Sequence, residues 1–233
     1  MLTFEKVEMS GGDGPGPIFT DLTFTLGWRR VMVIAEDDEL TAGFVNLLVG
    51  VRRPDRGQVR LGGRTSWPIG QQTIMRSAMN GRETIRFLSL IYNLDAGACT
   101  EDALRWFSPE LMARPMTRWS GRERNQFERL AVLWPDFDIL LAYGAGPTGD
   151  PEFDAEWRQR FVEKMQGRGL IAVAPPFEPW SEWCDVVLLL RGAGAIWYAS
   201  VAEAQSAVRA AATGALVEDS PKRRGEQIDD DLI

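Results

Sequence analysis

The sequence predicts an α/β protein, and three patterns carry that prediction. The N-terminal third alternates apolar and polar residues with the two-residue period of half-buried strands, at Leu2 to Val7 and Phe19 to Leu26. The C-terminal half alternates short apolar runs with helix-period stretches, the pattern of a parallel sheet joined by crossover helices. Between them lie two segments that each open with a capping-box signature and continue with apolar residues at helical spacing.

Taken in order, Ser10 to Pro17 (SGGDGPGP) is a Gly/Pro loop between the first two strands. Arg30 to Ala35 (RVMVIA) reads as a buried strand, Leu40 to Gly50 as an amphipathic helix, and Gly57 to Leu61 as a further short strand. Asn80 with Glu83 opens the next helix, whose Ile85, Leu88, Ile91 and Tyr92 fall on one face. A mixed helical stretch runs from about Glu101 to Met112. Ser120 with Glu123 opens another helix, with Phe127, Leu130, Ala131 and Trp134 as its apolar stripe. Strands are expected at Ile139 to Tyr143, Leu170 to Ala174 and Asp185 to Leu190. Helices are expected at Glu152 to Met165 and Val201 to Ala212. The charged tail from about Glu218 has little to bury, so residues 213–233 are expected to be disordered beyond a folded domain of 1–212.

The segment between the strand ending at Ala35 and the helix after it sits where a phosphate-binding loop would sit. A loop of the form G-x-x-x-x-G-K-[ST] needs glycines for backbone approach, a lysine for charge and a hydroxyl for Mg²⁺. Here Ala35 and Leu40 stand at the glycine positions, Thr41 at the lysine and Ala42 at the hydroxyl. Glu36, Asp37, Asp38 and Glu39 fill the middle. At about 6 Å and an effective dielectric near 20, each carboxylate repels a phosphate charge by roughly 3 kcal/mol. A divalent cation held by these four is disfavoured, because adjacent residues do not converge on one ion and a helix start attracts acidic side chains anyway.

Composition narrows the function classes. The 233 residues, 45% of them hydrophobic, suit one large domain or one domain with a subdomain. A net charge of −7 and a pI near 4.9 argue against nucleic-acid binding. No apolar run approaches the ~20 residues of a membrane span, and the start lacks a signal-peptide pattern. Two isolated cysteines, Cys99 and Cys184, fit a reducing cytosol. The absence of histidine excludes Ser-His-Asp and Cys-His catalysis and His-ligated metals. Lys222-Arg223-Arg224 followed by Asp229-Asp230-Asp231 is a weak membrane signal.

Several stretches resemble the ATP-binding subunit of an ABC transporter, of the capsule-polysaccharide and O-antigen exporter type. The closest is Arg64 to Tyr92 (RTSWPIGQQTIMRSAMNGRETIRFLSLIY), with its Ser-Trp-Pro-Ile-Gly and Asn-Gly-Arg-Glu-Thr-Ile-Arg-Phe blocks. Arg53-Pro54-Asp55-Arg56-Gly57 is similar to the segment after the family's P-loop helix. Pro135-Asp136-Phe137-Asp138 is similar to the lead into the Walker B strand. Gly149-Asp150 resembles the end of the D-loop, Trp183-Cys184-Asp185 the start of a late strand, and Trp119-Ser120-Gly121-Arg122-Glu123 the signature loop. The resemblance spans roughly residues 1 to 212. It implies a P-loop NTPase-like ABC ATPase fold, with an N-terminal antiparallel β subdomain, a parallel-sheet core and a helical subdomain at about 77–134.

On that resemblance, the departures fall on chemistry. Thr41 and Ala42 replace the Walker A pair. Tyr143 aligns with the Walker B Asp, Gly144 with the catalytic Glu, and Pro175 with the switch histidine. Arg76 aligns near the Q-loop Gln, and the Gly/Pro loop after Met9 offers no aromatic to stack on adenine. Phosphoryl transfer rests on positioning and electrostatic stabilisation by these groups, so no cofactor and no metal are expected. Ser120 and Gly121, with Gly149 and Asp150, are the remaining nucleotide-contact candidates. Ser120 reads either as a contact to a γ-phosphate held by another subunit or, preferred here, as a helix cap. Arg122 stands where a second glycine is expected.

The resemblance places a permease-contacting groove at about Arg64 to Trp106, with Trp67, Arg76, Arg82 and Glu83 as candidate partner contacts. Nine tryptophans serve either an interface or core packing. The leading expectation is a non-catalytic ABC subunit of a polysaccharide or glycolipid exporter. It would be cytoplasmic or peripheral at the inner face of the plasma membrane, docked on a membrane permease or paired with an active ATPase subunit. The alternatives are the degenerate half of a heterodimeric ATPase, a free scaffold or regulatory protein, a homodimer, and an ordinary active exporter ATPase. No nucleic acid is expected.

Overall fold

The structure is a computed structural model. It describes residues 2–11, 17–26, 30–71, 78–144, 146–173, 180–191 and 194–212, with side chains to residue 207. The chain opens with β1 (Leu2–Ser10), β2 (Pro17–Leu26), β3 (Arg30–Ala35), α1 (Asp38–Leu48) and β4 (Arg56–Leu61). Then come α2 (Gly81–Tyr92), α3 (Ala96–Leu104), α4 (Pro109–Met112), α5 (Gly121–Val132), β5 (Ile139–Tyr143) and α6 (Pro151–Lys164). It ends with β6 (Gly169–Val173), β7 (Val186–Arg191), β8 (Gly194–Tyr198) and α7 (Val201–Ala212). Two compact units result, Met1–Gly63 with Ile171–Ile233, and Arg64–Leu170.

In the first unit β1 pairs antiparallel with β2 on one side and with β4 on the other. Leu2, Phe4, Val7 and Met9 turn inward. Phe4 stacks on Phe24 of β2 at 4.5 Å and on Phe44 of α1 at 5.4 Å, so one aromatic stack fastens this sheet to the helix. The β1 register shifts between Phe4 and Val7, and Lys6 there has φ 48°. A bulge of this kind bends β1 and sharpens its twist beside β4, whose register also shifts between Glu5 and Glu8. Gly57 has φ +75°, and a Cβ on it would lie 2.2 Å from the Lys6 carbonyl oxygen. No other residue type fits there.

β3 runs parallel to β7, Val31 beside Val186 through Ala35 beside Leu190, as the α/β pattern requires. β8 corrects the sequence reading. It returns antiparallel on β7, Val187 opposite Tyr198, whereas no strand was expected between Leu190 and Val201. The short connection allows only an antiparallel hairpin-type return.

In the second unit α2 and α5 open as the sequence predicts, with capping boxes at Asn80–Glu83 and Ser120–Glu123. Gly81, Thr84, Ile85, Leu88 and Ser89 form the buried face of α2. Ile91, expected inside, is 55% exposed. The helix stops one residue later at the left-handed Asn93, before any element covers that turn. α5 is buried over its whole C-terminal half, Gln126 to Val132, not only along the expected stripe. Glu128 and Arg129 are inside, so their charges must be met locally. The Glu128 carboxylate accepts from Gly70 N at 2.7 Å. The Arg129 guanidinium donates to Gly146 O and Asn125 Oδ1 and lies 4.8 Å over the Trp157 ring. Ser66 to Ile69 run extended and parallel to β5, through Ser66 N to Ile139 O and Ile69 N to Leu141 O, both 2.9 Å.

Candidate functional site

The β3–α1 connection is an ordinary capped helix start. Glu36 N donates to Leu190 O at 3.0 Å, carrying the β3–β7 pairing one residue further. Asp37 is the N-cap, its Oδ1 accepting from Leu40 N at 2.8 Å. The Thr41 hydroxyl donates back to Asp37 O at 2.8 Å. Ala42 is exposed, and Asp38 and Glu39 stand exposed in the first turn. The Glu36 carboxylate faces Arg191 Nε at 3.3 Å, both side chains about half exposed. A helix N-terminus carries about half a positive charge and free N–H groups, which is what attracts phosphate. Here Asp37 takes the Leu40 N–H, and Glu36, Asp38 and Glu39 add negative charge around the same helix start.

The positions that the resemblance assigned to acid chemistry carry none. Tyr143 ends β5, half-buried, its N donating to Ile69 O at 2.9 Å. Gly144 follows it, exposed, with φ +67°. Arg76 and Pro175 lie outside the described residues. Among the described residues no group of His, Cys, Asp and Glu can hold a metal ion.

Ser120, Gly121, Gly149 and Asp150 all lie in the second unit, and Arg122 and Gln126 join their two segments by bonding to Asp150. The Ser120 hydroxyl accepts from Glu123 N at 3.1 Å, and the Glu123 carboxylate accepts from Ser120 N at 2.6 Å. The hydroxyl is therefore occupied as a cap. Gly121 is exposed, with nothing within 4 Å of where a Cβ would stand. Gly149 has φ +84°, which delivers Asp150 to the N-cap of α6. Asp150 Oδ1 accepts from Phe153 N at 3.2 Å, and Oδ2 accepts from Arg122 at 3.0 Å and from Gln126 at 3.1 Å. These bonds, that of Phe153 first, hold the Asp150 carboxyl below its ordinary value. Sequence reading saw Arg122 only as a bulky intruder; its pairing across 28 residues left no local signal.

Of the candidate partner contacts, Trp67 packs edge-on against Phe137 at 5.4 Å and lies 6.1 Å from Tyr92. Tyr92 and Phe137 are 5.2 Å apart, and burial pushes the Tyr92 phenol up. Arg82 is exposed, and Glu83 is committed to Asn80 N at 2.8 Å. Sequence reading missed a cleft of about 530 Å³ in the first unit, lined by Glu8, Ser10, Thr20, Asp55 and Arg56 among others. Asp55 accepts from Ser10 N at 2.7 Å, and hydrogen bonding from Ser10, aided by Arg52, holds its carboxyl down. The only sequence signal was Asp55 in the Arg-Pro-Asp-Arg-Gly segment. Its two carboxylates are offset by arginines, Glu8 by Arg56 at 3.7 Å and Asp55 by Arg52.

No family model matches the chain. It is 21% identical over 181 residues to the capsule polysaccharide export ATP-binding protein CtrD of Neisseria meningitidis serogroup B, covering 75% of this chain and 82% of that one. It is 21% identical to the polysialic acid transport ATP-binding protein KpsT of Escherichia coli, covering 78% and 83%. It is 22% identical to the ATP-binding protein BexA of Haemophilus influenzae, covering 70% and 76%. Among solved structures it is similar to the ATP-binding cassette MJ0796, a dimer in a post-hydrolysis state bound to ADP and Pi. There the TM-score is 0.67 at 12% identity, covering 85% of this chain and 98% of that one. It is also similar to the ATP-binding subunit of an ABC transporter, with TM-score 0.66 at 15% identity, covering 85% and 90%. The chain has the fold of an ABC transporter ATP-binding cassette, and its sequence relatives include ATP-binding proteins of capsule polysaccharide export and of polysialic acid transport.

Proposed function

We propose that this chain is the ABC ATP-binding-type subunit of a capsule polysaccharide or related glycan exporter, and that it acts without hydrolysing ATP. The relatives CtrD and KpsT support the transport context. The observation that carries the non-catalytic reading is the β3–α1 connection, where Asp37 and Thr41 close hydrogen bonds within the helix start and no lysine or glycine is present. Tyr143 and Gly144 in place of carboxylates support it. The subunit then serves as a structural or regulatory component at the cytoplasmic face, docked on a membrane permease or paired with an active ATPase subunit.

Calorimetry with MgATP, together with a thermal shift at millimolar nucleotide, tests this. A ligand at ~100 times its Kd stabilises a fold by roughly 2.7 kcal/mol. Neither heat nor shift is expected, and micromolar binding overturns the reading.

A second reading is that the chain completes the ATP site of an active partner. The ion pair between Arg122 and Asp150 favours it, since it joins the signature-like and D-loop-like segments. Mixed with such a partner, Ser120→Ala lowers the partner's turnover on this reading. On the first reading it costs only the cap, about 1 kcal/mol of stability.

A further inference from the structure

The first unit guards its sheet edges unevenly. In the three-stranded sheet the outer strands are β2 and β4. β2 carries Pro17 and a left-handed Asp21 at φ 53°, and β4 carries Arg56 and Arg60. Proline, charge and irregular backbone each keep another strand from adding to an edge. β8 has none of them. It pairs with β7 in unbroken register, from Val187 opposite Tyr198 to Arg191 opposite Gly194, and among the described residues no strand pairs with its other side. Residues 192–200 (GAGAIWYAS) contain no charge and no proline. Gly194, Ile196 and Trp197 are exposed. Phe24 of β2 meets the Trp197 ring edge-on at 5.7 Å, a contact of ring on ring that occupies no backbone group of β8. A strand of this kind is a template for pairing with a further strand.

We propose that β8 is the contact strand of a homodimer, pairing antiparallel with β8 of a second copy about a two-fold axis at Ile196. The strand's own sequence chooses this occupant. Centred on Ile196, the pairing sets Ile196 opposite itself, Ala195 opposite Trp197 and Gly194 opposite Tyr198, so each small residue meets an aromatic one. A Cβ on Gly194 would find no atom nearer than 4.0 Å, so the space beside it is open to a Tyr198 ring from the second copy. An aromatic laid beside a strand glycine restores the packing that the glycine lacks. Each copy carries a net charge of −7, yet the uncharged run 192–200 lets two copies meet with no like charges opposed. A two-fold pairing uses the edge of both copies and closes at two. Two five-residue strands bury well under the ~800 Å² per partner of a stable interface, so the dimer is weak and half-formed at on the order of 100 µM. The pairing needs neither nucleotide nor a membrane subunit, so it stands apart from the transport reading.

Sedimentation equilibrium of the full chain without nucleotide is the test. The mass is expected to rise from 26.1 kDa at about 1 µM towards twice that at about 500 µM, and no further. Ile196→Lys and Ile196→Glu are each expected to stay monomeric over that range, because residue 196 faces itself and like charges then stand opposed. An equimolar mixture of the two variants is expected to dimerise again, at least about tenfold tighter than either alone. Ile196 is exposed, so both variants fold, which circular dichroism checks. A wild-type chain that is monomeric at about 500 µM, a mass that climbs beyond two copies, a dimer that survives either substitution, or a mixture that stays monomeric overturns the proposal. MgATP binding is scored separately: it would sink the non-catalytic reading and leave the result at β8 standing.

Discussion

Arg122 and Asp150 form a 3.0 Å ion pair that ties the first turn of α5 to the cap of α6. Asp150 serves both helices, because the same carboxylate accepts from Phe153 N. Asp150→Ala is therefore expected to lower the melting temperature more than Arg122→Ala, whose loss leaves the cap and the Gln126 bond intact. The folded carboxyl sits below its ordinary value of 3.8, so its contribution is fully present above that value and is lost as pH falls through the lower folded one. Thermal melts of wild type and Asp150→Asn should converge at acid pH. A difference between them that persists well below pH 3.8 removes the carboxylate from the explanation.

Thr41→Lys is expected to give neither MgATP binding nor turnover. The new amine meets Glu36, Asp38 and Glu39 before it meets phosphate, and no glycine frees backbone N–H groups. Phosphate release and calorimetry on the variant check this; measurable hydrolysis refutes it.

Gly57→Ala is expected to cost more stability than Gly81→Ala, although Gly57 is exposed and Gly81 buried. At Gly57 the new methyl meets backbone, the Lys6 carbonyl at 2.2 Å, with φ already positive. The loss should exceed about 2 kcal/mol. At Gly81 it meets the Met112 thioether at 2.7 Å, a flexible end that can move. Urea denaturation of both variants gives the order.

Asp102 receives two hydrogen bonds from Arg160, at 2.9 and 2.7 Å, and one from Trp134 Nε1 at 2.8 Å. Asp102→Ala strands these donors in a largely buried place and should cost roughly 2 kcal/mol. Replacing Arg160 as well should add less than its single effect, and a double-mutant cycle in denaturant measures the coupling.

Burial, with Asp185 beside it, pushes the Cys184 thiol up to about 12, and burial raises Cys99 too. The thiolate is the reactive form, so at about pH 8 Cys184 should resist a disulfide reagent by at least ~100-fold relative to a free thiol, and Cys99 should also react more slowly than a free thiol. Both should react at once in denaturant. Fast native labelling would show that either thiol is open to solvent.

The caps at Asn80 and Ser120 were legible because their chemistry lies within four residues. So was the buried strand Arg30–Ala35, whose apolar run is continuous. The Ser-Trp-Pro-Ile-Gly block read as a family mark, and only the structure gave its physical role as an extended partner of β5. The strand β8 and its direction, the outward turn of Ile91 and the Arg122–Asp150 pair were not legible. Each depends on what packs against a residue from far along the chain.

The sequence by itself determined the succession of strands and helices except β8, the acidic chemistry of the β3–α1 connection and the absence of any histidine, because these are local properties of side chains and their spacing. Only the tertiary structure decided which apolar side chains go inside and which carboxylates find a donor. Burial and long-range pairing are settled by the competition of elements for the core within each unit: in the second, α5 took its whole C-terminal half inside, and Leu90 and Ile91 were left on the surface.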